Sequence, residues 1–244
     1  SVSGTALSLS RGGAGSWRRC RGSALEGMMH HMARTWAPLK AALLLTILAP
    51  AAAAADCRLA VLGDSLTAGY GVALGDGFPA RLDAALQARG IDCEVIDAGV
   101  SGDTSAGGLG RLDWVLGDRP THLLVELGGN DALRALPPDQ LARNLDEIVG
   151  RAKTAGVQVM LAGMLAPPNL GAVYGKEFAT AFTTAAEKHG VPLYPFFLDG
   201  VAGERALVQR DGVHPNAAGV DIIVQRILPS LTAWLQSTAN GGGS

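Results

Sequence analysis

The sequence predicts an α/β fold, a three-layer α/β/α sandwich built on a five-stranded parallel sheet. Three observations carry this expectation. Apolar segments of strand length recur five times, helix-like stretches separate them, and the strands are too continuously apolar for either face of the sheet to meet water.

The first strand is RLAVL at 58–62, which breaks at Gly63 into a run of Asp, Ser, Thr, Gly and Tyr. A helix over 78–89 follows and ends before Gly90, the small residue that commonly closes a helix. CEVID at 93–97 and THLLVEL at 121–127 are the second and third strands. Over 139–153, Leu141, Leu145, Ile148, Val149 and Ala152 share one helical face, and Gly156 ends that helix. VQVMLAG at 157–163 and VPLYP at 191–195 complete the sheet. A last helix over 217–235 turns Ile222, Ile223, Ile227, Leu231 and Trp234 inwards. No internal repeat or second domain is visible.

Ahead of this domain the composition changes. Residues 1–31 are read as a non-native or untranslated leader, with Met28, Met29 and Met32 as alternative starts. Over 32–55, Arg34 and Lys40, the apolar run Ala41 to Leu48 and the segment PAAAAA follow the plan of a secretory signal peptide cleaved after Ala55. The run is about half the ~20 residues of a spanning helix, so stable membrane insertion is not expected. The working unit is then one domain over 56–236 with a disordered tail over 237–244. Without residues 1–55 the balance of 20 Lys and Arg against 22 Asp and Glu becomes 14 against 21, a net charge of −7 that disfavours nucleic acid and anionic bilayers as partners. A monomer is the expected oligomeric state.

Cys57 and Cys93 each precede a predicted strand. If those strands are parallel neighbours, the two cysteines lie side by side, and an exported protein would allow a disulfide between them. Without a CxxC motif or a partnering histidine cluster, no metal site is expected.

Functional groups of such a fold collect in the loops at the C-terminal edge of the sheet, which begin at Gly63, Ala98, Gly128, Met164 and Phe196. Ser65 stands in the first of them, where a serine can simply cap a helix. Of the histidines after residue 55, His122 and His189 sit where structural or surface roles suffice. His214, in RDGVHPNAAG, has Asp211 three residues upstream, a spacing at which the carboxylate can fold back onto the imidazole. Gly102 in DAGVSGDTS can bring a bare backbone N–H near a ligand, and Asn130 in ELGGND offers a side-chain amide. A serine, a base with its carboxylate and independent N–H donors are the parts that acyl transfer requires. The G-x-S-x-G elbow of α/β-hydrolases is absent, since Thr67 stands where its second glycine would be. Asp64 and Asp131 are read as loop-shaping acceptors of backbone N–H bonds.

The segments GDSL at 63–66, SGDT at 101–104, GGND at 128–131 and DGVH at 211–214 resemble the four blocks of the SGNH, or GDSL, hydrolases. The similarity is greatest to the bacterial periplasmic subgroup described as thioesterases, arylesterases and lysophospholipases. The resemblance implies a flavodoxin-like topology and hydrolysis of acyl esters or thioesters without cofactor or metal. It implies Ser65, His214 and Asp211 as the triad, and the N–H groups of Ser65 and Gly102 with the Asn130 amide as the oxyanion hole.

An acyl chain needs an apolar groove, for which the Pro-rich loop MLAPPNLGAVYG at 164–175, with Pro167, Leu170 and Tyr174, and Leu133 are the candidates. PFFL at 195–198 is read as core. Two other readings stay open: a carbohydrate O-deacetylase of the same family, and a non-catalytic binding module. The scarcity of tryptophan, with only Trp114 and Trp234 after residue 55, weighs against a sugar site.

Overall fold

The computed structural model describes residues 57–241. The leader and signal-peptide readings therefore lie outside the described residues, as do residues 242–244.

All five predicted strands form: β1 (Cys57–Gly63), β2 (Cys93–Gly99), β3 (His122–Glu126), β4 (Gln158–Ala162) and β5 (Leu193–Tyr194). They pair in parallel in the order β2-β1-β3-β4-β5, the flavodoxin-like arrangement. β5 is only two residues long because Pro192 and Pro195 flank it, and proline has no N–H to give a ladder.

Seven α-helices lie among the described residues. They are α1 (Phe78–Gln87), α2 (Ser105–Gly110), α3 (Leu112–Gly117), α4 (Gly129–Leu133), α5 (Pro138–Thr154), α6 (Ala172–His189) and α7 (Ala217–Gly241). α1 packs on α7 over one face of the sheet, and α5 packs on α6 over the other. The face of α5 read from the sequence is the one that is buried. α6 was not marked by periodicity, because its inward face, Phe178, Ala181, Phe182, Ala185 and Ala186, relies on alanines that also suit a surface.

The last helix corrects the reading of 237–244 as a disordered tail, since it runs on to Gly241. The Ser237 and Thr238 hydroxyls bond back to the Trp234 carbonyl, and Thr238 Oγ1 lies 2.8 Å from Nε2 of His122. Those contacts tie the helix end to the start of β3. His122 also meets Thr121 Oγ1 at 2.8 Å, and burial holds its imidazole below the usual range. It is structural, as its place in the sequence suggested, and so is His189, whose Nε2 is 2.7 Å from Asp146.

Cys57 and Cys93 stand in register on β1 and β2, their Cα atoms 4.5 Å apart, and are joined by a disulfide. The bridge closes a loop spanning 36 positions, for which chain entropy predicts about 3–4 kcal/mol. It sits at the edge of the sheet opposite the loops that carry Ser65 and Asn130. Replacing both cysteines by serine should therefore lower stability by about that amount in urea titrations and leave ester turnover within about twofold of wild type.

The strand order reverses between β1 and β3. Ligands of open α/β sheets bind in the crevice at such a reversal, beyond the carboxyl ends of the strands. Here those ends lead into Ser65 and Asn130.

Candidate active site

After β1 the chain winds into turns: the Asp64 carbonyl accepts from the Ala68 N–H and the Ser65 carbonyl from the Tyr70 N–H. No helix starts here for Ser65 to cap, and α1 begins only at Phe78. Asp64 instead closes a side-chain turn, its Oδ1 accepting from the Leu66 N–H at 2.9 Å. The Ser65 hydroxyl meets Nε2 of His214 at 2.9 Å.

Beyond His214, Nδ1 is 2.7 Å from Oδ2 of Asp211, while Oδ1 of Asp211 accepts from the N–H groups of Val213 and His214 at 2.9 and 3.0 Å. The Val213 N–H and the His214 ring and N–H hold the Asp211 carboxyl down at about 2. It is thus ionised wherever the imidazole needs a partner for its proton. The predicted Ser, His and Asp form one continuous chain of hydrogen bonds.

Asn130 lies in the first turn of α4. Its Nδ2 donates to Oδ2 of Asp64 at 3.0 Å and to the Asp103 carbonyl at 2.9 Å. These two bonds fasten it between the residue before Ser65 and the residue after Gly102. Gly102 has φ of +87°, a left-handed conformation that a side chain would strain. Asp131 shapes the same loop, its two oxygens accepting from the N–H and hydroxyl of Ser105.

Asp64 is buried, and that burial pushes its carboxyl up to about 6, against the opposing bonds from Leu66 and Asn130. Beneath it, fully buried Glu126 accepts from the Thr67 hydroxyl at 2.8 Å and has its other oxygen unpartnered. Burial, and then the charge of Asp64, raise the Glu126 carboxyl well above the usual range. A carboxyl whose folded value exceeds its unfolded one binds more protons in the native state, so it withdraws stability as pH rises between the two values. For Asp64 that window runs from about 4 to about 6. Urea unfolding of wild type and Asp64→Asn over pH 4 to 7 should show wild type losing stability relative to the variant across that window.

Two residues here carried no warning in the sequence. Arg111 donates to Asp103 (2.6 Å), the Ala98 carbonyl (2.7 Å) and the Gly63 carbonyl (2.8 Å), so one guanidinium ties the ends of β1 and β2 to the Gly102 loop. Glu126 stands inside the strand read at 121–127 and is marked there by nothing but its charge.

Beside Ser65, Asn130 and His214 a cavity of about 240 Å³ opens, and its other walls are largely apolar. Leu133 and Pro167 line it as expected, with Met164 and Leu165 of the same loop. Leu170 and Tyr174, both read as substrate-binding, do not. The Pro-rich loop closes in a 3-10 turn at Pro168–Leu170, and α6 starts at Ala172. Tyr174 thereby donates its hydroxyl to the Leu136 carbonyl at 2.7 Å and stacks on Phe178. The reading of 195–198 as core holds for Phe197, edge-on to Phe78, but Leu198 lines the cavity with Val201 and Val208. The signal for that wall was its place after the fifth strand.

Residues 61–222 match the GDSL-like Lipase/Acylhydrolase family. The chain is 39% identical over 183 residues to Esterase TesA of Pseudomonas aeruginosa, covering 75% of this chain and 91% of that protein. It is 40% identical over 175 residues to Thioesterase 1/protease 1/lysophospholipase L1 of Escherichia coli K12, covering 71% and 82%. Among solved structures, psychrotrophic esterase EstA from Pseudoalteromonas sp., inhibited by monoethylphosphonate, superposes with a TM-score of 0.71 at 36% identity, covering 74% of this chain and all of that one.

Proposed function

The chain belongs to the GDSL-like lipase/acylhydrolase family, and from that premise we propose that it is a serine esterase acting on acyl esters and thioesters. The observation that carries the proposal is the unbroken relay from Ser65 through His214 to Asp211, at 2.9 and 2.7 Å, beside an apolar cavity.

His214 Nε2 takes the proton of Ser65 as Oγ attacks the acyl carbonyl, and Asp211 holds the ring and offsets its charge. The N–H groups of Ser65 and Gly102 with the Asn130 amide stabilise the oxyanion. To receive it, the amide gives up one of its two resting bonds. His214 then protonates the departing alcohol or thiol, and water activated by the same imidazole hydrolyses the acyl-enzyme. The acyl chain lies against Leu133, Met164, Leu165, Leu198 and Val201. None of these steps calls for a metal or cofactor.

Export to an oxidising compartment is part of the same proposal, supported by the Cys57–Cys93 bridge and the signal-like segment at 32–55. No described helix is long and apolar enough to cross a membrane.

The test compares purified protein on octanoyl p-nitrophenyl ester, an octanoyl thioester and acetylated xylan. Faster turnover of the octanoyl substrates supports the proposal. Preference for acetylated xylan would assign it to carbohydrate deacetylation instead.

A further inference from the structure

Ser65 and His214 are 149 positions apart and stand on different loops. A single hydrogen bond between them is too weak to hold two loops in register by itself. A displacement of about 1 Å can cost about 10²-fold in rate, so something else must fix the distance.

We propose that Gln209 is the positioning residue that sets the separation of Ser65 and His214; the inference rests on the esterase reading above. The Gln209 side-chain Nε2 donates to the Tyr70 carbonyl at 2.7 Å and to the Pro215 carbonyl at 2.9 Å. A primary amide has two protons, and here each goes to a different loop. Both neighbours can only accept, which fixes the nitrogen rather than the oxygen at this point.

Each end of this strap leads directly to one member of the pair. On the nucleophile side, the Tyr70 N–H donates to the Ser65 carbonyl at 3.0 Å, so Tyr70 and Ser65 close a single turn. On the histidine side, the Gln209 N–H donates to the His214 carbonyl at 2.7 Å, and its carbonyl accepts from Gly212 at 3.0 Å. An antiparallel bridge between Val208 and Pro215 closes the base of that loop. The Tyr70 ring rests on the imidazole, with centroids 4.5 Å apart.

The backbone beside the strap is shaped to admit it. Gly71 has φ of +73°, and a Cβ there would stand 2.1 Å from the Gln209 side-chain oxygen. Any other residue would push the amide away from Tyr70. Among the described residues, Gln209 supplies the hydrogen bond between these loops other than the one between Ser65 and His214. It does not line the acyl cavity. Its loss should therefore reach the chemical step and not substrate binding.

The test uses Gln209→Met, which keeps the reach and loses the donors, and Gln209→Lys, whose ammonium can donate to the same two carbonyls. Turnover of octanoyl p-nitrophenyl ester, inactivation by an organophosphonate and the thermal midpoint are read for each. In the Met variant kcat should fall about 10- to 100-fold with KM within about twofold of wild type, and inactivation should slow in parallel. The Lys variant should recover most of the loss. If the Met variant does not fold, Gln209→Asn, too short to span both loops, should give the same kcat loss. Wild-type kcat in a folded Met or Asn variant, or equal losses in Met and Lys that follow their melting points, would overturn the positioning role. A wild-type protein unable to hydrolyse the ester would overturn the esterase reading itself, and this inference with it.

Discussion

Ser65→Ala should lower kcat on octanoyl p-nitrophenyl ester by about 10⁵- to 10⁶-fold, with the residual rate coming from the oxyanion donors and from binding alone. In the proposed mechanism Ser65 Oγ is the atom that carries the acyl group, and its side chain makes a single described hydrogen bond, to His214. Removing the oxygen leaves the turn intact, because that turn is held by the backbone bonds from Ala68 and Tyr70 and by the Asp64 carboxylate. The circular-dichroism spectrum and thermal midpoint should accordingly stay close to wild type. Wild type should take up one organophosphonate per chain, detected as a mass increase on the peptide that contains Ser65, and the variant none. A binding module built on this scaffold would show neither turnover nor labelling. Labelling that persists in Ser65→Ala would place the nucleophile elsewhere and remove the triad from the account.

How much of this was legible in the sequence differs from element to element for physical reasons. The strands could be read because a parallel sheet covered on both sides needs unbroken apolar runs, and RLAVL and THLLVEL supply them. That Ser65, His214 and Asp211 would meet could be read because acyl transfer would demand particular atoms in the loops at one edge of the sheet, and the structure joins the three by hydrogen bonds. Arg111 and Gln209 could not. Gln209 works by donating to backbone carbonyls, which any residue provides, and two of the three bonds of Arg111 are of the same kind, its one side-chain partner, Asp103, being eight positions away across the short helix α2. Tyr174 misled for a related reason. An aromatic in a Pro-rich loop suits a groove or a helix start equally, and only the turn at Pro168–Leu170 decided for the helix. The helical end of 237–241 was hidden too, since its anchor, His122, is 116 positions from Thr238.

Asn130→Ala is expected to reduce kcat by about 10²- to 10³-fold, or roughly 3–4 kcal/mol of transition-state stabilisation. In the resting site both protons of the Asn130 amide are engaged, one by Asp64 and one by the Asp103 carbonyl. Those bonds aim the nitrogen and leave one proton free to be exchanged, since a developing oxyanion offers more charge than the neutral Asp103 carbonyl. A residue with only this scaffolding task would lose stability and rate together when truncated. An oxyanion donor behaves differently: its loss weakens binding of a tetrahedral adduct by the factor lost from kcat/KM, while ground-state affinity barely changes. Octaneboronic acid, which forms such an adduct with the serine, separates the two roles. Its inhibition constant should rise by about the same 10²- to 10³-fold in Asn130→Ala, with KM within a few-fold of wild type. If kcat stays within threefold of wild type, or if the boronate binds equally well to both proteins, the Asn130 amide is a loop fastener and the oxyanion depends on the backbone N–H groups of Ser65 and Gly102 alone.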